Sequence, residues 1–491
     1  MFVFGFKYLD IFIIMNTLFT ILSALDRKEM TRFKDFALSP YHNKHSGVKE
    51  ILLYLNGLYP QFSEKNCGNR ALAKALFPGK KESAAQVPVF LTYVRRLLYE
   101  FLDTEAYQKS SLSKSIFLLS QLREKKQTNI HLKHLDQERT NTDEQEVRDS
   151  AYFHKRFLLD GEADQMYTEQ AVGKEKGALQ QKAHHLDAYY LSEKLKDACE
   201  MLVRSRMVKV DYSSILLEAI LQVVQENKER YFKIPPVNVY YHIYQMIVNE
   251  EVQYYETAFQ AVEQFAPFFP TEELQNIYNY LQNYCVDQIN KSRSEFLRAS
   301  FQLYQIQLEK RLLFIGDLLP EWHYKNIVTA GLGLGEVDWV RQFLERYRPF
   351  LMAEVQENAY SYNLAQYYYA TEEYKKAMQL LLQVSYTDAR YSMSAKALLL
   401  KIYYDLEEHE ALVALCKSFV QALQRDRSIS DFRRKGYTHL FKLTQKASQL
   451  RYRQPFRKVE KSKLALEKLK EELAIAKPFN KRWLEERLGR L

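Results

Sequence analysis

Apolar positions along most of this chain recur three or four residues apart, the spacing of an amphipathic helix, and no run alternates apolar with polar between turn signals as a strand would. Leu18, Leu22, Leu25, Met30, Phe33 and Phe36 predict one helix over 17–37, with Asp26, Arg27, Lys28 and Glu29 on its outer side and Ser39-Pro40 as its stop. Further helices are predicted near 46–58, 68–77, 84–106 and 110–125, so that residues 1–125 form an N-terminal helical block. Residues 126–146 are polar and lack sustained periodicity, which predicts a linker or an exposed helix end. From 147 to 430 long helical segments alternate with short breaks, at Asp160-Gly161, Lys209–Tyr212, Ile234-Pro235-Pro236, Ala266–Pro270 and Leu319-Pro320. Thr271 followed by two glutamates reads as a helix start, since early acidic residues favour the N-terminal dipole. The expected fold class is all-α: a helical block, a stack of α-α hairpins and a basic C-terminal capping helix.

Composition supports this. The 491 residues hold only 14 Gly and 12 Pro, the residues that break elements, and 36 Tyr, whose large ring and polar tip suit half-buried helix faces. The length allows roughly two to four domains. Cys67, Cys199, Cys285 and Cys416 lie far apart with no CxxC pair, which argues against a disulfide framework or structural zinc and fits a reducing cytoplasm. Residues 1–25 are apolar, but Lys7 and Asp10 interrupt them, and the uncharged run from Ile11 to Leu25 is about 15 residues, short of the roughly 20 that span a membrane. Met15 is an alternative start, which leaves 1–14 as a spurious or targeting extension; a membrane role, if any, rests on residues 1–25 or on the basic tail. The expected location is the cytoplasm.

The strongest signal is internal. Tyr369–Leu380 matches Tyr404–Leu415 at an offset of 35, with Leu364 on Leu399, Tyr368 on Tyr403 and Glu372-Glu373 on Glu407-Glu408. One unit earlier, Trp339 falls at the position of Tyr374 and Ala330 at that of Ala365. A period near 34 is what two short helices with tight turns require. The unit Asn358–Tyr391 resembles a tetratricopeptide repeat, and the resemblance extends over about 322–428. It implies close helix approach at Ala365 and Ala377, and core positions at Tyr374 and Leu381. The early Trp position holds Ser361, no terminal Pro is present, and Leu400 and Leu412 stand where small residues belong. The whole chain is also similar to bacterial helical-repeat proteins of comparable length, a resemblance that carries no activity with it. What the repeat resemblance implies is a scaffold that binds a protein or peptide, with Tyr367, Tyr368, Tyr403 and Tyr404 as candidate contact residues, because aromatics dominate binding hot spots.

Nothing in the sequence assembles an active site, so no catalysis, metal or cofactor is expected. His42/His45 and His131/His134 have HxxH spacing, but no Cys or HExxH-type Glu accompanies them. Gly331-Leu-Gly-Leu-Gly335 resembles the glycine pattern of a phosphate loop, yet Glu336 and Val337 follow where Lys-Ser/Thr is needed. Residues 66–106 admit a helix-turn-helix through Pro78-Gly79-Lys80-Lys81, with Arg95 and Arg96 on the second helix. That helix also carries Val89, Phe90, Tyr93, Val94, Leu97, Leu98 and Phe101, a wide apolar face that suits core packing. From Arg425 to Leu491 there are 20 Lys/Arg against 8 Asp/Glu, a net of +12, whereas the whole chain nets +9. The basic tail, 431–491, includes Arg433, Arg434, Lys435, Arg451, Arg453, Arg457 and Lys458 and offers a nucleic-acid or anionic-membrane alternative. Its predicted helix over 457–476, with Leu464, Leu466, Leu469 and Leu473 on one side, equally suits a cap on the hairpin stack.

Overall fold

The structure, a computed structural model, describes residues 17–76, 83–170, 177–208, 210–249, 251–383, 389–426, 429–453 and 459–491. Residues 1–14, the Pro78–Lys81 turn, Arg457 and Lys458 lie outside the described residues. The protein is all-α, with 25 α-helices and no strand among the described residues. None of these helices is long and apolar enough to cross a membrane. The chain divides into two compact units, Met1–Glu146 with Ser150–Tyr190, and Val147–Asp149 with Leu191–Leu491.

The first unit opens with α1 (17–24), α2 (Arg27–Leu38), α3 (Ser46–Leu58), α4 (Glu64–Cys67), α5 (Asn69–Leu76) and α6 (Ser83–Lys109) around a core that includes Leu22, Phe33, Ile51, Leu91 and Leu98. The single helix expected over 17–37 is broken. Asp26 caps α2 with a carboxylate that accepts the Glu29 N–H at 2.7 Å, and Glu29 returns the bond to the Asp26 N–H at 2.9 Å. This capping box stabilises a fresh helix start, so the polar set Asp26–Glu29 is a helix terminus, with Asp26, Arg27 and Lys28 exposed. The backbone bond from Glu29 holds the Asp26 carboxyl below its ordinary value.

The rest of this unit is α7 (Ser111–Glu124), α8 (Thr128–Asp143), α9 (Ser150–Gln170) and the start of α10 (Ala178–Val208). Two expectations fail here. The segment expected as a linker holds α8, which buries His131, Leu135 and Thr142, and α9 runs unbroken through Asp160-Gly161. The cause is an interior in which buried charge pairs stand beside a small apolar cluster of Leu119, Leu135, Leu159, Ala163 and Ala178.

The second unit continues through α10 into α11 (Leu217–Glu226), α12 (Lys228–Tyr231), α13 (Pro235–Val248), α14 (Val252–Phe265), α15 (Thr271–Asn290) and α16 (Glu295–Glu309). Three hairpins follow: α17 (Glu321–Gly333) with α18 (Val337–Tyr347), α19 (Ala353–Ala370) with α20 (Tyr374–Gln383), and α21 (Ala389–Asp405) with α22 (His409–Arg425). First helices pack on first helices, α17 on α19, α19 on α21 and α21 on the next helix, α23 (Asp431–Arg453). Each second helix lies on the first helix of the hairpin after it.

The same turn closes all three hairpins. Gly335, Glu372 and Glu407 take left-handed φ of +77°, +61° and +61°. The next N–H, of Glu336, Glu373 or Glu408, donates back to the carbonyl of Gly331, Tyr368 or Tyr403 at 2.9, 2.8 and 2.9 Å. These bonds satisfy helix-end carbonyls that otherwise lack partners. They also fix the register. The last two units are 35 apart as expected, but the first is shifted, so that Val337 and not Trp339 stands at the place of Tyr374, and Val328 and not Ala330 at that of Ala365. Ala365 and Ala377 are fully buried, as close helix approach demands.

Beyond α23 the chain adds α24 (Val459–Ile475) and α25 (Lys481–Leu488). Leu440, Phe441, Leu469, Leu473, Trp483 and Leu484 share one apolar cluster with Leu400, Leu412 and Phe419 of the last hairpin. Leu464, expected on the covering face, is 54% exposed instead; the face turned inward is Leu469 and Leu473.

Candidate functional site

The second unit holds a pocket of about 300 Å³ lined by α17, α21, α23 and Phe479. Pro320 ends an extended segment and lets α17 begin, which sets Glu321, Trp322, Lys325 and Asn326 along one wall. Met393 and Ser394 of α21, and Arg433 and Tyr437 of α23, supply the others, and Phe479 closes one end. Lys325 Nζ donates to Ser394 Oγ at 2.9 Å and lies 5.4 Å from the centroid of the buried Tyr362 ring. Trp322 is 50% exposed, and Arg433 stands at the exposed start of α23. Burial pushes the Tyr437 phenol up, against a hydrogen bond with Ser394 and the charge of Arg433, so it stays protonated at neutral pH. Phe479 lies against Gly436, where an added Cβ would sit 2.7 Å from its ring, and its N–H donates to the Gly436 carbonyl at 3.3 Å. Two cations, one carboxylate (Glu321) and three aromatic rings suit an aromatic side chain of a partner beside an acidic one that meets the excess positive charge.

The four candidate tyrosines do not form one surface. Tyr367 and Tyr368 are half-buried and edge-on to each other at 5.6 Å, with Arg341 5.7 Å from the first ring and Lys376 5.3 Å from the second. Tyr403 is half-buried between two core clusters. Tyr404 is only 3% exposed, edge-on to Trp483 at 5.6 Å with Arg451 5.5 Å from its ring, so it presents nothing to a partner while α25 is in place.

The residue that spacing failed to single out is Tyr369. Its hydroxyl donates to Asp405 Oδ2 at 2.6 Å and accepts the Trp483 Nε1–H at 2.7 Å. Asp405 also receives a two-pronged Arg487 at 2.6 and 2.9 Å. Burial, with the charge and hydrogen bond of Asp405, pushes the Tyr369 phenol far up. Lys401 donates to Asn480 Oδ1 at 2.8 Å, and burial pushes its ammonium down to about 8. Tyr369 and Asp405 lie 36 positions apart, and Trp483, Arg487 and Asn480 lie 114, 82 and 79 positions from their partners, so no local pattern joins them.

The basic residues of the tail are dispersed. Arg434 donates to the carbonyls of Leu423, Asp426 and Ile429 at 3.0–3.1 Å and so ties down the end of α22. Arg451 donates to the Tyr404 carbonyl at 3.2 Å and pairs with Glu407. Arg433, Lys435 and Arg453 are exposed, and of these Arg433 belongs to the pocket. On α6, Val87, Leu91, Val94 and Leu98 are fully buried, while Val89 and Tyr93, expected on that apolar face, are 52% and 41% exposed. His42 stacks on Phe36 at 3.7 Å, and His45 tilts against Phe90 at 4.9 Å. His131 is buried and His134 exposed. Gly331 and Gly333 end α17, and Gly335 makes the turn, so this glycine run serves the hairpin.

Sequence inspection also missed the ionic interior of the first unit. Asp160 has no solvent exposure; its carboxylate accepts from Arg139 at 2.6 Å, meets His185 Nδ1 at 2.6 Å and lies 3.9 Å from Arg156. Glu162 pairs with Arg123 at 3.1 Å and lies 3.5 Å from His131. Burial alone would raise both carboxyls, but these partners outweigh it and hold both below their ordinary values.

Compared with known proteins, the chain matches no family model, no curated protein and no solved structure.

Proposed function

We propose that the chain is a non-catalytic scaffold, a tetratricopeptide-like stack of helical hairpins that binds a segment of another protein. The observation that carries this reading is the pocket lined by α17, α21 and α23, where Lys325 and Arg433 stand among Trp322, Tyr437 and Phe479. Its walls, apart from Phe479, are regular helix, so binding there costs little ordering. Aromatic anchors beside cations favour an acidic segment with a large apolar side chain. A protein partner is favoured over nucleic acid because Arg434 and Arg451, two of the tail's cations, are committed to bonds within the chain. The four cysteines are buried and none is in a disulfide, which fits the cytoplasm as the place of action.

Affinity capture with the native protein and with a Lys325→Glu/Arg433→Glu variant tests the proposal. The expected result is a protein recovered by the native chain and lost, at least tenfold, with the variant. Recovery of the same proteins by both, or of nucleic acid released by modest salt, overturns it.

A further inference from the structure

We infer that the face formed by Tyr369, Lys401, Tyr404 and Asp405 is a helix-docking site for a partner helix that carries an aromatic residue and an arginine one turn apart, and that the chain's own α25 fills it in cis. This goes beyond the pocket and does not depend on what the pocket takes.

The site is built from equivalent places on two hairpins. Tyr369 and Tyr404 end the first helices α19 and α21 at the offset of 35. Across these ends lies α25, eight residues long, with Trp483, Leu484 and Leu488 buried. Trp483 and Arg487 are four apart and therefore share one helix face. The tryptophan gives its N–H to Tyr369, and the guanidinium forks onto Asp405, whose side chain is 8% exposed. A planar fork on a carboxylate is a geometry lysine does not reproduce. Lys401 completes the seat, 5.5 Å from the Trp483 ring and bonded to Asn480.

Three features mark α25 as a ligand more than a core element. An eight-residue helix is not stable alone, so its helicity is conferred by docking, as with peptides that fold on binding. It is tethered by residues 476–480, a connection outside any helix that contains Pro478. That connection turns through Asn480 at φ +53°, with no side-chain cap on the helix it starts. Its hold combines two polar anchors, Trp483 and Arg487, with the buried Leu484 and Leu488, and the polar pair is what gives a short recognition helix its specificity. A partner helix with the pattern Trp-Leu-x-x-Arg-Leu presents the same groups and competes for the same seat.

The test uses the full chain with a protease site placed in 476–480, so that α25 is cut only after folding. A labelled peptide of residues 477–491 is then titrated by fluorescence anisotropy. The expected result is binding to the cut chain at least tenfold tighter than to the uncut chain, where the seat is occupied. Asp405→Asn in the cut chain weakens it at least tenfold, and so does Arg487→Lys in the peptide, a change that leaves the folding of the chain untouched. Loss of helical signal beyond that of the eight residues of α25 on cutting shows α25 to be an integral part of the core and overturns the inference, as does equal binding of native and Arg487→Lys peptides. Dimers formed by exchange of α25 between uncut copies overturn the assignment to a partner helix.

Discussion

Asp160 is a fully buried carboxylate whose charge is matched by Arg139 and Arg156 and which is hydrogen-bonded to His185. Removing one partner of such a set leaves the others buried and uncompensated, which costs about 3–5 kcal/mol. Asp160→Asn is therefore expected to lower the stability of the first unit by that amount, measured as the shift in urea midpoint of hydrogen-exchange protection in α8 and α9. The pH dependence has a definite sign. Asp160 and Glu162 are both held below their ordinary values, so their stabilisation is complete above the unfolded carboxyl value near 4 and is lost as pH falls through the lower folded values. Protection of α8 and α9 should fall away below about pH 4; protection unchanged into stronger acid would contradict the ionic account. Gly331 is a second decisive residue. A Cβ there would lie 2.5 Å from Val340 Cγ2 and 3.1 Å from Phe301. Gly331→Ala is expected to destabilise the α17/α18 hairpin by about 1–3 kcal/mol, read from thermal unfolding.

At the scale of elements, the recurring left-handed turn is the device that makes each hairpin. Two of its three instances place a glutamate at positive φ, which disfavours side chains with a Cβ by about 1–2 kcal/mol. Glycine relieves that strain but loses more freedom on folding. Glu372→Gly is expected to leave a net gain of about 0.5–1 kcal/mol, seen as a raised unfolding midpoint. Elements that bury apolar residues were legible from spacing: α3, α5, α7, α15 and α22 fall where periodicity and turn residues put them. The break after Leu25 was written in Asp26 and Glu29, a capping signature masked by the apolar rhythm on both sides. Helix α8 left no apolar rhythm because its inward side is His131, Leu135 and Thr142 with charged neighbours. Repeats at an offset of 35 were visible in Glu372 and Glu407, but the two-residue shift of Gly335 hid the true partner of Tyr374.

On the scale of the whole molecule, each unit is built by a different logic. In the first, apolar packing through α1–α6 gives way to charge pairs among α7–α10. In the second, each hairpin contacts mainly its neighbours, so stability is approximately a sum of local terms and an array of first helices is left to line a face. The candidate site was only half legible for that reason. Arg433 was named from charge, but Trp322 and Lys325 reach the same pocket from more than a hundred residues before it, and Phe479 from the connection ahead of α25. Tyr404 carried the signal of an exposed aromatic, and α25 covers it. The most direct measurement places a photo-crosslinking residue at Asn326, inside the pocket, or at Lys375, on the exposed side of α20, in otherwise native chains. The account predicts that a protein partner is captured from position 326 and not from 375. Equal capture from both positions, or capture from 375 alone, would contradict it.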